Sequence, residues 1–243
     1  MTALLRLESV AKGYARGPRD LRVLHDATVA VEPGEFVGVY GARGAGKTTL
    51  LRIAAGFEAP DVGRVTFAGE DLARLGRRRR AQLHHGGISW VERAGPRSSE
   101  LTIDVYVALP LYRRLGPMAA RRRALQALAR VGAEDAADAR WESLSDATRT
   151  LVAIAHGLVR EPRLLIVDDP TSGLDVIDRE RVTGLLRAAA EDGGVAILMA
   201  APDLAAAQHA DRALLLSRGR LLAPAERRPG ATVVEFPGGK RRA

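Results

Sequence analysis

A glycine-rich stretch of this chain has the residue types and the spacing of a phosphate-binding loop: Gly41-Ala42-Arg43-Gly44-Ala45-Gly46-Lys47-Thr48. Glycines let the backbone curl so that successive N–H groups point at phosphate oxygens. In such a loop the lysine ammonium contacts the β- and γ-phosphates, and the final hydroxyl ligates Mg²⁺. We therefore predict that these residues, together with Thr49, bind the phosphates of a nucleotide.

The segments on either side of this loop support the prediction. Residues 36–40 form a short, mostly apolar run after the turn Pro33-Gly34, which is typical of a buried parallel strand. Residues 48–55 carry apolar side chains at helical spacing and end at Gly56, which predicts a helix. Because a phosphate-binding loop requires a strand before it and a helix after it, a chance glycine-rich turn is the weaker interpretation.

A carboxylate that could complete a metal site follows a second apolar run, residues 164–167. Asp168 comes directly after this run and Asp169 is next. Since the carboxyl ends of parallel strands form the ligand-binding edge of an open α/β sheet, we expect Asp168 and Thr48 to converge on one Mg²⁺ ion. An aspartate after a strand is more often a turn residue, but the upstream phosphate-binding loop favours the metal site.

Composition limits the function classes. The 243 residues are 47% hydrophobic and 27% charged, as in a globular protein. There is no cysteine, which excludes a disulfide framework and fits a reducing compartment. The sequence has no signal-peptide core and no apolar run of membrane-spanning length, so we expect no direct membrane insertion, only association through a partner.

The charge is +8, and arginine supplies all but three of the 37 basic residues. Arginine runs at residues 77–80 and 121–123 could contact phosphates, but solvated helix faces explain them more simply. Aromatic residues make up only 4% of the chain, which argues against stacking platforms for nucleic-acid bases.

The apolar patterns along the chain predict alternating strands and helices. Strands are predicted at residues 3–10, 23–31, 36–40, 64–68, 87–91, 164–167 and 195–199, with a hairpin at 213–222 and Tyr14 in a loop. Helices are predicted at residues 48–55, 72–83, 102–111, 117–131, 145–158, 179–190 and 203–210. This order indicates an α/β fold in which helices cover both faces of a mainly parallel central sheet, after an antiparallel N-terminal β portion.

A helical subdomain is predicted as an insertion at about residues 94–160. Pro117 suits the first turn of its main helix, whose apolar face we assign to Leu125, Leu128, Ala129 and Val131. Ser145 is placed to cap the next helix. Residues 1–222 then form one nucleotide-binding domain of the P-loop NTPase fold, and the Pro-, Gly- and Arg-rich tail, residues 223–243, is expected to be disordered and basic.

The order of these motifs resembles the ATP-binding subunits of ABC transporters, most closely the MacB/LolD-like lipoprotein and exporter group, over about residues 4–222. Tyr14 stands where this family has an aromatic residue that stacks on adenine, and residues 33–36 lead into the phosphate-binding loop as in the family. Leu144-Ser145 begins the segment that the family writes LSGGQ, and residues 168–175 resemble its DEPT–x–x–LD run. Residues 101–102 and 108–111 resemble the segment near the membrane subunit.

The resemblance implies a mechanism and partners. In the family two subunits close head-to-tail around two ATP molecules, and each site joins one phosphate-binding loop to the LSGGQ segment of the other subunit. For this chain it implies ATP and Mg²⁺ as cofactors, a homodimer or heterodimer in which Ser145 and Asp175 contact the opposing subunit, and a transmembrane permease as partner. It places the chain in the cytoplasm, peripheral on the inner face of the cell membrane.

The chain departs from the family at the positions that serve hydrolysis. The LSGGQ segment has Asp146 and Ala147 in place of the two glycines. A carboxylate about 5 Å from a phosphate opposes each phosphate charge by about 3 kcal/mol at an effective dielectric of about 20. Asp169 replaces the catalytic glutamate and keeps its carboxylate one methylene short, so it is a weak candidate for the base.

Two further positions carry no equivalent of the family residue. The glutamine that senses Mg²⁺ aligns with Arg93, which has only hydrogen-bond donors, although a shift of one residue would place Glu92 there. The switch histidine aligns with Pro202, which has no polar side chain. Two hypotheses follow: a transporter subunit that hydrolyses ATP slowly, or a non-hydrolysing regulatory or scaffold module on the same fold. Binding of nucleic acid through the arginine runs is a much weaker third.

Overall fold

The computed structural model describes residues 3–16, 19–92 and 100–222. Its strands are β1 (Leu5–Arg16), β2 (Arg19–Val31), β3 (Phe36–Tyr40), β4 (Val62–Phe67), β5 (Glu70–Asp71), β6 (Ile88–Val91), β7 (Leu164–Asp168), β8 (Ala196–Ala201), β9 (Arg212–Ser217) and β10 (Arg220–Leu222). They form two sheets, which confirms the predicted division into an antiparallel N-terminal portion and a mainly parallel central sheet.

The antiparallel sheet has the strand order β2-β1-β4-β5. The central sheet has the order β10-β9-β3-β8-β7-β6, in which all neighbours are parallel except the β9–β10 hairpin. Strand β3 therefore lies between β8 and β9 and is buried, as its apolar run predicts. Because the strands are parallel, β3, β6, β7 and β8 all end at the same edge of the sheet.

The helices are α1 (Lys47–Ala54), α2 (Arg77–Gln82), α3 (Ile103–Ala108), α4 (Tyr112–Leu115), α5 (Pro117–Val131), α6 (Asp146–Leu158), α7 (Val176–Glu191) and α8 (Leu204–Ala207). Short 3₁₀ turns lie at Leu72–Arg74, Leu109–Leu111, Glu134–Ala136 and Trp141–Ser143, and one π turn lies at Leu83–Gly87. Helices α3, α5 and α6 pack on one another, while α1 packs on β7 and β8.

Two hydrophobic cores lie on opposite faces of the central sheet, because successive side chains of a strand point to opposite sides. Val37 and Val39 of β3 belong to the core shared with α1 and the antiparallel sheet. Phe36 belongs to the other core, shared with α3, α5, α6 and α7. The strands of this sheet are therefore apolar at nearly every position.

Among the local predictions that are wrong, three concern Tyr14, residues 72–83 and the buried face of α5. Tyr14 lies in β1, not in a loop, because β1 continues to Arg16 through irregular pairings with β2. The single helix predicted at residues 72–83 is divided into a 3₁₀ turn and α2, and the π turn follows it. Leu125 is 41% exposed and Ala129 is also exposed, since α5 buries a small-residue face instead: Ala120, Ala124, Ala127, Leu128 and Val131.

Several predictions concern residues outside the described part of the chain. These are Arg93, at the start of the gap between residues 92 and 100, and the tail at residues 223–243.

Candidate functional site

The phosphate-binding loop leaves the sheet after Tyr40, the last residue of β3, and enters α1 at Lys47. Gly46 precedes the helix in a left-handed conformation with φ 103°, and a Cβ there would lie 2.6 Å from Cγ1 of Val23. A Cβ on Gly41 would lie 2.4 Å from the carbonyl oxygen of Leu216. A Cβ at either position would lie too close to a residue of β2 or β9, so only glycine fits at these two positions.

Lys47 lies over its own loop. Its Nζ atom donates to the carbonyl oxygen of Gly41 at 2.7 Å and to that of Ala42 at 3.2 Å. The first turn of α1 contains no acidic residue, so the positive end of the helix dipole and the ammonium group act together. Ala42, Arg43 and Gly44 form the exposed tip of the loop, and Ala45 is partly buried beneath it. This arrangement suits an anion with several oxygens.

Thr48 and Asp168 lie close together, although they come from different elements. The side chain of Thr48, in the first turn of α1, lies close enough to the carboxylate of Asp168 at the end of β7 to lower its pKa. Burial raises the pKa of Asp168, and the negative charges of Asp169 and Glu92 raise it further, although the nearby Thr48 hydroxyl and the charge of Lys47 lower it. A cation placed here would relieve the cost of keeping this carboxylate ionised.

Glu92 follows β6 and lies close enough to Asp168 for its charge to act on that carboxylate. The indole Nε1 of Trp90 donates to Glu92 Oε2 at 3.2 Å. The sequence analysis gave Glu92 only as the alternative to Arg93 at the family's glutamine position. The sequence signal for Glu92 is that it directly follows a buried strand. Thr48, Asp168 and Glu92 therefore supply oxygen atoms near one edge of the sheet.

Asp169 has a left-handed backbone with φ 49°, which is uncommon for a residue other than glycine. Its N–H donates to the carbonyl oxygen of Ala200 at 3.1 Å, so the backbone of Asp169 is fixed against β8. Pro202 lies in a bend just after β8 and is partly buried. The two positions that serve hydrolysis in the family thus lie at the ends of adjacent strands, but only Asp169 carries a group that could accept a proton.

Tyr14 is 38% exposed, and its hydroxyl lies 3.5 Å from that of Thr49. Nζ of Lys12 lies 5.7 Å from the centroid of its ring. Burial raises the pKa of Tyr14, so its ring is uncharged at neutral pH. A cavity of about 290 Å³ beside the ring is also lined by Arg22 and Asp61. The structure therefore links Tyr14 to α1 through Thr49.

The residues expected to contact an opposing subunit cap their own helices. Ser145 Oγ accepts from the N–H of Thr148 at 3.2 Å and begins α6, as predicted. Asp175 Oδ1 accepts from the N–H of Asp178 at 2.8 Å and begins α7. Ser145, Asp146 and Asp175 are exposed and Ala147 is partly buried. These helix N-termini thus remain on the surface of the single chain.

No group of three or more histidine, cysteine, aspartate or glutamate side chains that could hold a metal ion by itself occurs among the described residues. Mg²⁺ commonly takes one or two protein ligands and completes its shell with water and phosphate oxygens. Among the described residues, Thr48 and Asp168 are the ones predicted from the sequence for that role, and Glu92 lies near them.

A sequence model of the family described as ABC transporter matches residues 24–172, which include the phosphate-binding loop and Asp168. This chain belongs to the ABC transporter family. The lipoprotein-releasing system ATP-binding protein LolD of Ruegeria pomeroyi is 38% identical to it over 221 residues, which cover 90% of this chain and 97% of the relative. LolD of Chromohalobacter salexigens is 34% identical over 219 residues, which cover 90% and 92%.

Solved structures of ABC cassettes have the same fold. The bacterial ABC transporter cassette MJ0796, solved as a dimer, has a TM-score of 0.82 with 27% sequence identity and covers 89% of this chain and 96% of its own. The cbiO1 subunit from Clostridium perfringens has a TM-score of 0.79 at 27% identity, covering 90% and 87%. The predicted ABC family and its LolD/MacB type are confirmed. Among the residues described in this ABC cassette, no helix is long and apolar enough to cross a membrane.

Proposed function

We propose that this ABC cassette is the ATP-binding subunit of a transporter: it binds MgATP, closes as a dimer and drives a transmembrane permease, with slow hydrolysis. The observation that carries the proposal is that the Thr48 hydroxyl and the Asp168 carboxylate lie close together beside Lys47, whose charge also acts on Asp168. A hydroxyl, a carboxylate and an ammonium group thus meet at the mouth of a glycine loop.

The residues of the loop fit the nucleotide that the proposal requires. The backbone of residues 41–46 and the ammonium group of Lys47 would hold the phosphates, while Thr48 and Asp168 would hold Mg²⁺. When bound, the metal neutralises phosphate charge. Tyr14 and Thr49 would contact the rest of the nucleotide. The proposed nucleotide-binding domain is residues 1–222, with the helical insertion at about 94–160.

Three observations support a dimer and a membrane partner. MJ0796 was solved as a dimer, and LolD carries the name of a lipoprotein-releasing system. The exposed N-termini of α6 and α7 leave Ser145 and Asp175 accessible to a second subunit. The subunit would then lie in the cytoplasm, peripheral on the inner face of the membrane, held by the permease.

Slow hydrolysis is proposed because the hydrolytic positions are altered, whereas the binding positions are kept. Asp169 is held by its backbone bond to Ala200 and has a shorter side chain than glutamate. Pro202 offers no proton donor or acceptor. Asp146 would bring a negative charge toward the phosphates of the nucleotide bound by the opposing subunit. Ala147 would bring a Cβ atom toward the same phosphates.

The same substitutions favour a second candidate, a non-hydrolysing regulatory or scaffold module that binds ATP. Both candidates bind MgATP, so binding cannot separate them. Turnover can: the transporter subunit should hydrolyse ATP faster than its Lys47→Ala variant, and the scaffold should not.

Light scattering on the purified full chain tests the proposal. MgATP should convert a monomer into a species of twice the mass, and Lys47→Ala should remain monomeric. A wild-type chain that binds MgATP and keeps the monomer mass at every concentration would contradict the proposed dimer closure.

A further inference from the structure

Helix α5 carries an apolar row on its outer side, away from the alanine-rich face that it buries. Met118 is 87% exposed, Leu125 is 41% exposed, and Ala129 is also exposed. Residues seven and four positions apart lie on the same side of a helix, so these three side chains form one row. We define the outer row by Met118, Leu125 and Ala129. None of the residues assigned to nucleotide binding belongs to it, so it needs a separate explanation.

Positive charge lies along both sides of the outer row. Arg121 and Arg122 flank it, and residues 112–131, which span α4 and α5, contain six arginines and no aspartate or glutamate. Arg121 is paired with Asp104 and Asp138. Arg122, by contrast, makes no ion pair within the described part of the chain. The guanidinium group of Arg122 is therefore available to an external anion.

The space beside the outer row is open, with a volume of about 480 Å³. Every residue that lines it belongs to α5: Met118, Arg121, Arg122, Leu125, Gln126 and Ala129. A space bounded by one helix has no opposite wall. A docked peptide needs a groove or a sheet edge to hold it, whereas a lipid bilayer needs only an exposed amphipathic face. The shape therefore favours a broad, flat ligand over a peptide segment.

Charge disfavours two occupants that the chain itself could supply. In a symmetric contact between two copies the same patch meets itself, so the arginines of α5 would face one another and repel. The tail, residues 223–243, has five basic and two acidic residues, so its net charge has the same sign as that of α5. A surface of anionic lipids has the opposite sign, and it attracts arginine side chains.

We propose that the outer row of α5 contacts an anionic lipid surface. Met118 and Leu125 lie at the boundary between headgroups and acyl chains, and Arg122 pairs with lipid phosphates beside them. The contact is interfacial, since α5 has 15 residues and buries its other face in the protein. That the chain works at a membrane rests on the proposed function. The lipid contact itself depends only on α5, so it should form in the absence of a permease.

Co-sedimentation of the full-length chain with vesicles tests the proposal. The chain should bind vesicles of equimolar phosphatidylcholine and phosphatidylglycerol, and bind phosphatidylcholine alone at least about tenfold more weakly. Met118→Gln with Leu125→Gln removes exposed apolar surface and should lower the affinity for the anionic vesicles at least about tenfold. Arg122→Gln with Arg130→Gln removes two exposed charges and should lower it at least about fivefold. Added salt should weaken binding of the wild type, because exposed charges are screened.

A fluorescent probe separates contact through α5 from adsorption through another surface. The chain has no cysteine, so Met118→Cys creates a single labelling site for an environment-sensitive dye. The emission of this dye should shift to shorter wavelength on anionic vesicles. The same dye on Asp192→Cys, which is exposed after α7, should not respond. Equal responses at the two positions would overturn the proposal.

A matched variant controls for net charge. Arg77→Gln with Arg78→Gln also removes two exposed arginines, but from α2, and it should leave vesicle affinity nearly unchanged. A loss equal to that of the α5 charge variant would show that net charge alone carries the binding, and it would overturn the proposed site. Absence of binding to the anionic vesicles would do the same.

Two further outcomes would assign the binding elsewhere and also overturn the proposal. The first is vesicle binding that is abolished by Lys240→Gln with Arg241→Gln and Arg242→Gln but kept by both α5 variants, which would assign the contact to the tail. The second is a dye on Met118→Cys that responds to polyglutamate but not to vesicles, which would assign the outer row to an acidic protein.

MgATP binding is measured on the same proteins so that the two proposals fail separately. A chain that binds anionic vesicles through α5 but does not bind MgATP would remove the proposed function and keep the lipid contact. Intact MgATP binding without vesicle binding would do the reverse.

Discussion

The side chain of Thr48 lies close to the carboxylate of Asp168, so the helix after the phosphate-binding loop meets the end of β7, two positions from β3 in the central sheet. The carboxylate is partly buried and its pKa is raised, mainly by burial, so the protein keeps an acidic group where it would be more stable neutral. A bound cation would stabilise the ionised carboxylate, so a cation is the simplest ligand for this arrangement.

Asp168→Asn should therefore weaken MgATP binding by at least about tenfold and leave binding in excess chelator nearly unchanged. Since the ionised form of Asp168 is disfavoured in the folded chain, the same variant should not lower the melting temperature. Titrations with and without Mg²⁺ measure the first effect, and thermal unfolding measures the second. Asp192→Asn, an exposed aspartate after α7, is the control. Equal losses with and without Mg²⁺ would argue against the metal role.

Gly46→Ala should lower the free energy of unfolding by about 1–3 kcal/mol, because the new Cβ meets Val23 at 2.6 Å and the backbone keeps φ 103°. The loop should also lose nucleotide affinity. Gly76→Ala is matched to it, since Gly76 has φ −67° and a Cβ there meets no atom within 4 Å. Urea unfolding of both variants checks the difference; similar stabilities would show that the loop adjusts freely.

His156 should make the fold sensitive to acid. Its ring is buried against Tyr106 with centroids 4.6 Å apart, and burial lowers its pKa from 6.5 to about 4. The folded chain thus binds this proton less readily than the unfolded chain, so stability is lost as pH falls from about 6.5 toward about 4.

Between about pH 7.5 and about pH 5, this single group should cost about 2 kcal/mol. His156→Leu should lack that part of the loss, although it removes the stacking contact at every pH. Urea unfolding at these two pH values measures how much the free energy of unfolding changes with pH for each protein. Equal changes for the wild type and the variant would contradict the assignment.

Turnover should respond to restored hydrolytic groups. The wild-type rate should be low, and Asp169→Glu combined with Pro202→His should raise it at least about tenfold if the glutamate reaches the attacking water. Steady-state phosphate release measures the rate. The Lys47→Ala substitution is introduced into each protein, and the rate of the resulting variant is the background. A wild-type rate that already equals that of the combined variant would mean that the substitutions at these positions do not limit hydrolysis.

The sequence predicted the strand–loop–helix context and the meeting of Thr48 with Asp168, because apolar runs of parallel strands mark the sheet and its carboxyl edge. It misplaced Tyr14, since Ser9 with φ 47° and the register shifts of β1 interrupt the alternation that marks a strand. It also misassigned the buried face of α5, where alanines rather than Leu125 pack inward.

The central claim is that this loop binds a metal-complexed triphosphate, and isothermal titration calorimetry with MgATP tests it most directly. The wild-type chain should bind at one site per chain, and Lys47→Ala should bind at least about tenfold more weakly while unfolding normally, since a charge-assisted bond contributes about 1.5–3 kcal/mol. No heat of binding to a folded wild-type chain, or equal binding by Lys47→Ala, would contradict the account.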